Sequence, residues 1–214
     1  MSRVRVHNFA ISLDGFGTGE GQSRDAHFGH AGNRLHQWMF ATDAWRAGGS
    51  RGVDNAFVRQ HEPGIGAEIM GAGKFGHAGW HKEPDWKGAW GPNPPFHTPV
   101  FVLTHHTRPS IEMEGGTTFH FIDASPAEAL ATARAAAAGK DVRIGGGPTI
   151  VRDFFAAGLI DHAHIVVVPI LLGRGVHLWQ GLEGIERNFT IEATSASSGV
   201  THVTFTRVAN GKAE

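Results

Sequence analysis

The second half of the sequence alternates continuous apolar runs with helical segments, and this alternation restricts the fold more than any other feature. The runs read as strands at 99–104 (PVFVLT), 117–122 (TTFHFI), 142–144 (VRI) and 162–172 (HAHIVVVPILL). Continuous apolar runs are typical of strands buried on both faces, and parallel strands need helical crossovers. The pattern therefore predicts a mostly parallel sheet with helices on both faces.

The helix at 125–140 has the clearest start and stop signals in the chain. Ser125 is placed to act as the N-cap, and Glu128 three residues later completes a capping box. Gly139 stands where a C-terminal glycine belongs. A further helix is predicted over 148–158, where a proline starts and a glycine ends an amphipathic stretch.

The remaining elements follow from apolar periodicity and turn residues. They are a strand at 3–13, a loop at 16–32, helices at 33–42 and 50–61, a strand at 67–70, a long loop at 77–99, and a hairpin of 188–195 with 200–208. The predicted fold class is α/β: three layers, a mostly parallel central sheet with helices on both faces, and a C-terminal antiparallel hairpin, in one domain over 1–214. The free edge of the hairpin favours a homodimer.

Charge and composition narrow the choice of partner. The net charge is −1 with a pI near 7.0, so no basic field is available for a nucleic acid. No window reaches the roughly 18 consecutive apolar residues of a membrane span, and the N-terminus is typical of a strand rather than a signal peptide. The chain has no cysteine, which agrees with the reducing cytoplasm. Its 15 histidines form no H-E-x-x-H pattern, so we expect no metal site and a small-molecule partner.

Three predicted strands end in segments suited to phosphate. Met70 leads into GAGKFG, Leu103 into THHTR, and Ile144 into GGGPT. Glycines let backbone N–H groups approach a ligand, and a helix N-terminus adds partial positive charge. The spacing Gly71-x-Gly73-x-x-Gly76 is weak by itself, because the chain holds 30 glycines. In open α/β sheets, however, ligands bind beyond the carboxyl ends of the strands, where all three segments should meet.

The residues after the 99–104 strand bear on the choice of coenzyme. A dinucleotide fingerprint places an acid there to hold the ribose, but this chain has Thr104, His105 and Arg108. Hydroxyl and basic groups welcome a 2′-phosphate, so NADPH is expected over NADH. Simpler interpretations stay open: Lys74 as a solvated lysine, the histidines as loop residues, and the three glycines as a tight turn.

These motifs together resemble the dihydrofolate reductase superfamily, and within it the reductase domain of riboflavin biosynthesis. The matching segments are SLDG at 12–15, MGAGKFG at 70–76, PVFVLTHHTRP at 99–109, IGGGPTIVRDFFAAGLID at 144–161 and PILLGRGVHLW at 169–179. They lie in the same order as in that family and span most of the chain. Because the deaminase often fused to this reductase needs cysteine ligands, only the reductase half is expected here.

The resemblance implies a set of site residues. For NADPH these are Gly15, Gly71, Ala72, Gly73, Lys74, Phe75, Thr104, His105, Arg108, Gly145, Gly146, Gly147, Pro148, Thr149 and Ile150, with Gly145-Gly146 as a special peptide bond. For the substrate they are Leu13, Arg34, Trp38, Leu172 and Arg174. The candidates for proton transfer are Asp14, His36 or a bound water, and Asp14 and Gly15 would border the nicotinamide.

Two departures from the family pattern matter. Ala72 stands where the family usually has arginine, so that phosphate contact would move to Lys74 or Arg108. The segment 33–40 contains no acid, so folate reduction in the usual manner is not expected, and Arg34 would suit an anionic substrate or lie on the surface.

The expected function is an NADPH-dependent reductase that transfers hydride to a pyrimidine, pterin or related heterocycle. The alternatives are a non-catalytic nucleotide- or flavin-binding protein on the same fold and a histidine-rich metal protein. The Trp-rich loop at 77–99 would cover the substrate or seal a dimer interface.

Overall fold

A computed structural model describes residues 2–60 and 63–209. The strands are β1 Val4–Ser12, β2 Phe16–Thr18, β3 Ile65–Gly71, β4 Pro99–Leu103, β5 Ile111–Glu112, β6 Thr118–Ile122, β7 Asp141–Gly146, β8 His162–Val168, β9 Val176–His177, β10 Phe189–Ser195 and β11 Thr201–Arg207. The α-helices are α1 Gln37–Phe40, α2 Val53–Arg59, α3 Ala72–Phe75, α4 Pro126–Ala136 and α5 Pro148–Ala156. Short 3-10 turns lie at Gly29–Leu35, Trp80–Lys82, Glu114–Gly116 and Ile185–Asn188.

Within the described residues the strands form one nine-stranded sheet and a small two-stranded one. The large sheet has the order β10-β11-β8-β1-β7-β3-β4-β6-β5. Strands β8 through β6 in this order run parallel, and β11, β10 and the short β5 pair antiparallel at the two ends. The α/β fold class and the C-terminal hairpin predicted from the sequence are confirmed.

The two faces of the sheet carry separate apolar clusters, as the period of two along each strand requires. One face packs on α4 and α5, and its cluster includes Ile69 and Ile165. The opposite face carries two clusters: α1 and α2 cover one side around Val166, and α3 with the 77–99 loop covers the other side around Met70. Polar residues of the central strands lie between these two clusters.

The helix signals at 125–140 are confirmed in detail. The Ser125 side chain accepts the N–H of Glu128, and the Glu128 carboxylate accepts the Ser125 N–H at 2.9 Å. Helix α4 ends at Ala136, and Gly139 follows with φ of +82°. These signals act between residues close in sequence, so the packing around them does not change their outcome.

The predicted helix at 33–42 is wrong in extent. The chain forms the 3-10 turn Gly29–Leu35 and then the short α1 Gln37–Phe40, and His36 between them has a φ of −119°, which does not continue a helix. The predicted loop at 16–32 also contains β2, which pairs with β9. The helix predicted at 50–61 is α2, and residue 61 lies outside the described residues.

A chain of buried hydrogen bonds connects α2 to the sheet. The Asn8 N–H donates to His164 Nδ1 at 3.2 Å, so His164 Nε2 carries the proton donated to His202 Nδ1 at 2.9 Å. His202 Nε2 in turn donates to Asp54 Oδ1 at 2.8 Å, and the Phe57 ring stacks on both imidazoles. We call this row the histidine relay, and every tautomer in it is fixed by the Asn8 N–H.

Candidate active site

Turns that follow three neighbouring parallel strands meet at one edge of the sheet. β7, β3 and β4 lie side by side, so the segments after Gly146, Gly71 and Leu103 leave from the same edge. A Cβ built on Gly71 would lie 2.6 Å from Ile150 Cγ1, so glycine is needed for β3 to approach α5 this closely. The convergence of these strand ends, predicted from the sequence, is confirmed.

The turn between β7 and α5 presents an uncapped helix N-terminus. Gly147 is the N-cap residue and supplies no side-chain oxygen, and a Cβ at this position would meet no atom of residues 2–60 and 63–209 within 4 Å. The first turn therefore offers the N–H groups of Thr149 and Ile150 beside open space, which is the arrangement that binds phosphate. These residues fit the diphosphate of a dinucleotide coenzyme. The cis peptide bond joins Gly146 to Gly147, one residue later than predicted.

The turn after β1 closes against the segment 172–173. Gly15 has φ of +87°, and a Cβ there would overlap the His177 ring, so no larger residue fits. The Asp14 carboxylate accepts the Ser12 hydroxyl at 2.5 Å and the N–H groups of Leu172 at 3.1 Å and Gly173 at 2.7 Å. Asp14 thus fastens the 172–173 segment to the end of β1.

Asp14 is a carboxylate at neutral pH. Partial burial raises its pKa, but the hydrogen bonds from Ser12, Gly173 and Leu172 outweigh this effect and lower the pKa to about 2. An acid of this strength holds no proton to donate near pH 7. These hydrogen bonds give Asp14 a positioning role at the end of β1, and its part in proton transfer stays a prediction.

Charged residues form the sheet surface between the two apolar clusters. Glu68 on β3 is fully buried and accepts Arg143 Nε of β7 at 2.7 Å and Lys74 Nζ of α3 at 3.0 Å. A Cβ on Gly145 would overlap Glu68 Oε1 and lie 2.7 Å from Lys74 Nζ, so the ion pair lies directly over this glycine. Burial raises the pKa of Glu68, but the two cations outweigh it, and the carboxyl stays ionised.

The Arg143 guanidinium has one nitrogen, Nη1, that does not contact Glu68. Its side chain is 8% exposed, and Nε and Nη2 both contact Glu68. Its Nη1 is buried without a hydrogen-bond partner in the described part of the chain. A buried guanidinium nitrogen of this kind is available to a ligand oxygen or nitrogen.

His36 lies near Lys74, at the start of α1. Its ring stacks on Phe28 with centroids 4.3 Å apart, and its Nδ1 is buried with no hydrogen-bond partner among residues 2–60 and 63–209. Burial, and then the positive charge of Lys74, lower the pKa of His36 to about 4. The imidazole is therefore neutral near pH 7 and can accept or donate a hydrogen bond, but it is not a strong proton donor.

The turn after β4 contains Thr104, His105 and His106, and the three side chains have different surroundings. Thr104 is buried, and its hydroxyl accepts the His106 N–H at 3.0 Å, which shapes the turn. His105 is exposed and lies 2.9 Å from the Asp123 carboxylate at the end of β6. The His106 ring stacks on His81 of the 77–99 loop at 3.7 Å. The turn after β4 therefore brings imidazoles close to the Asp123 carboxylate, a neighbour that the sequence analysis did not predict.

Two residues assigned to the coenzyme have other partners. The Arg108 guanidinium packs over the rings of Phe121 at 4.6 Å and Trp80 at 5.0 Å, and donates to the carbonyl oxygens of Glu83 and Trp86. It therefore anchors the 77–99 loop, and its contact with a phosphate stays a prediction. Phe75 is fully buried within the same aromatic cluster, so its side chain cannot reach a coenzyme.

The five residues assigned to the substrate lie in different parts of the structure. Trp38 is 4% and Leu172 7% exposed, and both side chains pack in the cluster under α1, so they are core residues. Arg34 folds back onto the carbonyl oxygens of its own 3-10 turn. Leu13 is exposed at the end of β1, and the exposed Arg174 pairs with Glu20 at 3.3 Å. The structure brings none of the five onto the charged sheet surface described above.

Sequence reasoning missed Glu68 and Arg143. Both were counted inside short apolar strands, AEIM and VRI, as though they were incidental. A charged residue in the middle of a strand buried on both faces must find a partner there, and that requirement was the available signal. The pairing Glu68↔Arg143 in the β3–β7 register then follows directly.

The fold and this edge of glycine-rich turns define the dihydrofolate reductase-like class. The sequence matches the RibD C-terminal domain over residues 4–203. The chain belongs to the RibD C-terminal domain family. No curated protein sequence matches it.

Solved structures share the fold at low sequence identity. A putative riboflavin biosynthesis protein from Shewanella sp. PV-4 aligns with a TM-score of 0.61 and 21% identity, covering 98% of this chain and 100% of that one. A pyrimidine reductase-like protein from Corynebacterium diphtheriae gives 0.56 and 14%, covering 98% and 93%. A diaminohydroxyphosphoribosylaminopyrimidine deaminase/5-amino-6-(5-phosphoribosylamino)uracil reductase from Thermotoga maritima gives 0.55 and 15%, covering 97% and 57%.

No helix in the described ranges is long and apolar enough to cross a membrane. No group of three or more possible metal ligands occurs in the same residues.

Proposed function

We propose that this protein is an NADPH-dependent reductase that transfers hydride to a pyrimidine or related heterocyclic substrate. The observation that carries the proposal is the uncapped start of α5 beside the glycine turns of β1 and β3, in a chain of the RibD C-terminal domain family. When bound, a reduced nicotinamide coenzyme would supply the hydride. We also propose the cytoplasm as its location, because the chain has no cysteine.

The protein contributes position and electrostatics. Thr149 and Ile150 would hold the diphosphate through backbone N–H groups, and Gly15 at the end of β1 would border the nicotinamide ring. Arg143 Nη1 and His36 Nδ1, which have no partner among the described residues, offer hydrogen bonds to a polar heterocycle. The exposed imidazole of His105 supports a 2′-phosphate, and the neighbouring Asp123 opposes it.

The first test is direct turnover. The protein is incubated with NADPH and, as the probe, 5-amino-6-(5-phosphoribosylamino)uracil, and the loss of reduced nicotinamide absorbance is followed. Pterin and other pyrimidine probes follow in parallel. NADPH binding without oxidation across this panel would favour the alternative of a non-catalytic nucleotide-binding protein.

A matched pair of variants tests the binding geometry. Thr149→Glu places a carboxylate in the first turn of α5, where it favours the helix but repels a diphosphate. Thr149→Gln has nearly the same shape without the charge. We expect Thr149→Glu to weaken NADPH binding on the order of 10-fold or more with no loss of Tm, and Thr149→Gln to bind like the wild type. Equal NADPH affinity in the two variants would place the diphosphate elsewhere.

A further inference from the structure

Lys74 occupies an unusual position for a lysine. Its ammonium lies over Gly145, 3.0 Å from the fully buried Glu68 carboxylate, yet the side chain stays 29% exposed. The Phe96 ring of the 77–99 loop lies 5.4 Å from Nζ. The ammonium therefore contacts a carboxylate of the sheet, lies beside an aromatic ring and is exposed to solvent on one side.

This position does not suit a phosphate clamp. A clamp lysine directs its charge at the anion, but the Lys74 ammonium donates to the Glu68 carboxylate, which it shares with Arg143, and is held against the β7 backbone. The ammonium lies beside the residue that precedes Gly146 and Gly147, at the start of the turn that the proposed function assigns to the coenzyme. A group held there can reach a substrate ring lying against that turn.

We propose that Lys74 is the proton donor that completes hydride transfer, and that Glu68 is the positioning residue that holds it in place. The inference rests on the proposed function and deepens it, because it assigns the proton step to the coenzyme-side wall of the site. The proton step is thereby assigned to Lys74 and not to Asp14 or His36, both of which lack a transferable proton near pH 7.

The step balances as follows. A hydride forms a C–H bond at the carbon of a substrate C=O or C=N group, with a reduced nicotinamide as the two-electron reductant. The π electron pair moves to the oxygen or nitrogen, which forms a bond to a proton of the Lys74 ammonium as that N–H bond breaks. The products are the alcohol or amine, the oxidised nicotinamide and a neutral Lys74 amine, which regains a proton from water through its exposed side.

The surroundings of Lys74 favour an acid of suitable strength. Burial lowers its pKa most, Glu68 on β3 opposes that shift, and Arg143 on β7 adds to it, leaving the pKa below the usual lysine value. His36 also faces it and is neutral near pH 7. A lowered pKa brings a lysine closer to the operating pH, where a general acid is most effective.

Three variants test the assignment on the full chain. Lys74→Met removes the donor, and Lys74→Arg keeps the positive charge for Glu68 but cannot release a proton in this pH range. Lys140→Met, at an exposed lysine remote from the site, is the control. NADPH affinity is measured by coenzyme fluorescence, and turnover of the best probe found for the wild type is measured across pH.

The expected result is a kcat lower on the order of 10²-fold or more in both Lys74 variants, with NADPH affinity and Tm of Lys74→Arg close to wild type. Wild-type turnover should fall at alkaline pH, and this limb should be missing from the residual rate of the variants. Independently of activity, Lys74 in the wild type should react with an amine-acylating reagent at lower pH than Lys140, as followed by peptide mass spectrometry.

Three results would overturn the inference, in different ways. If the wild type oxidises NADPH and Lys74→Arg retains wild-type kcat and alkaline limb, Lys74 is not the donor, and the proposed function stands. If the wild type binds no NADPH and reduces none of the probes, the proposed function fails, and the inference fails with it. Acylation of Lys74 only at the pH of Lys140 would also contradict it.

Discussion

Replacing Glu68 with glutamine tests whether the buried ion cluster holds the centre of the sheet. Glu68→Gln keeps the side-chain shape, but it replaces one of the two accepting oxygens by an NH2 donor and removes the only negative charge shown between Arg143 and Lys74 in the described structure. Arg143 is 8% and Lys74 29% exposed, so neither cation can turn fully to water. The variant therefore leaves two cations facing each other across a neutral amide.

The cost follows from the burial. Removing one partner of a buried ion pair typically destabilises a protein by about 3–5 kcal/mol, because the remaining charge is uncompensated. Lys74 can lose its proton, and this relief places the expectation near the lower end, about 3 kcal/mol. For a chain of this size each kcal/mol shifts Tm by roughly 2–4 °C, so we expect a fall of about 6–12 °C.

The assay is urea unfolding at neutral and acidic pH. The pKa of Glu68 is lowered on folding, so its ionisation stabilises the folded state above its ordinary value of 4.5, and this contribution is lost as pH falls through the folded pKa. The gap between wild type and variant should therefore narrow below about pH 4.5. Glu192→Gln, at an exposed position on β10, is the matched control and should change little. A Glu68→Gln cost below about 1 kcal/mol at neutral pH would refute the reasoning.

Three further predictions concern other parts of the molecule. Asp14→Asn should lower Tm by a few degrees at neutral pH, and the difference should shrink as the pH falls from about 4 towards 2, the folded pKa of Asp14. His105→Ala should reduce the preference for NADPH over NADH and Asp123→Asn should increase it, as measured by the two coenzyme affinities; unchanged ratios would remove this edge from the coenzyme site. We propose a homodimer through the outer strand β10, so Ile191→Lys should shift sedimentation towards the monomer, and a wild type that is monomeric at all concentrations would contradict it.

The sequence was informative wherever a signal acts over a few residues or over the whole sheet. Ser125 and Glu128 cap a helix because they are three residues apart. The strand ends at Gly71 and Gly146 meet because parallel strands share an edge. In both cases the geometry is set by the element itself, so the prediction does not depend on which residues pack nearby.

The sequence did not predict the position of a side chain that has several possible partners distant along the chain. Arg108 follows a strand at the expected place, but aromatic rings and loop carbonyls hold its guanidinium. Trp38 lies on the predicted first helix, but its indole belongs to the core. Lys74 is in the expected turn, yet Glu68 draws it inwards. Composition and spacing do not record these choices, because they are decided by tertiary contacts.

The histidine relay makes the fold sensitive to acid at one residue, His164. His164 Nδ1 accepts the Asn8 N–H, so a second proton on the ring would go to Nδ1 and oppose that N–H, while Nε2 would still donate to His202. Burial lowers the pKa of His164 to about 3, so the fold loses stability progressively as the pH drops from about 6.5 to that value. Because the buried His164 ring stacks on Phe57 of α2, acidification should loosen α2 first, while α4 and α5 keep their amide protons protected on the far side of the sheet.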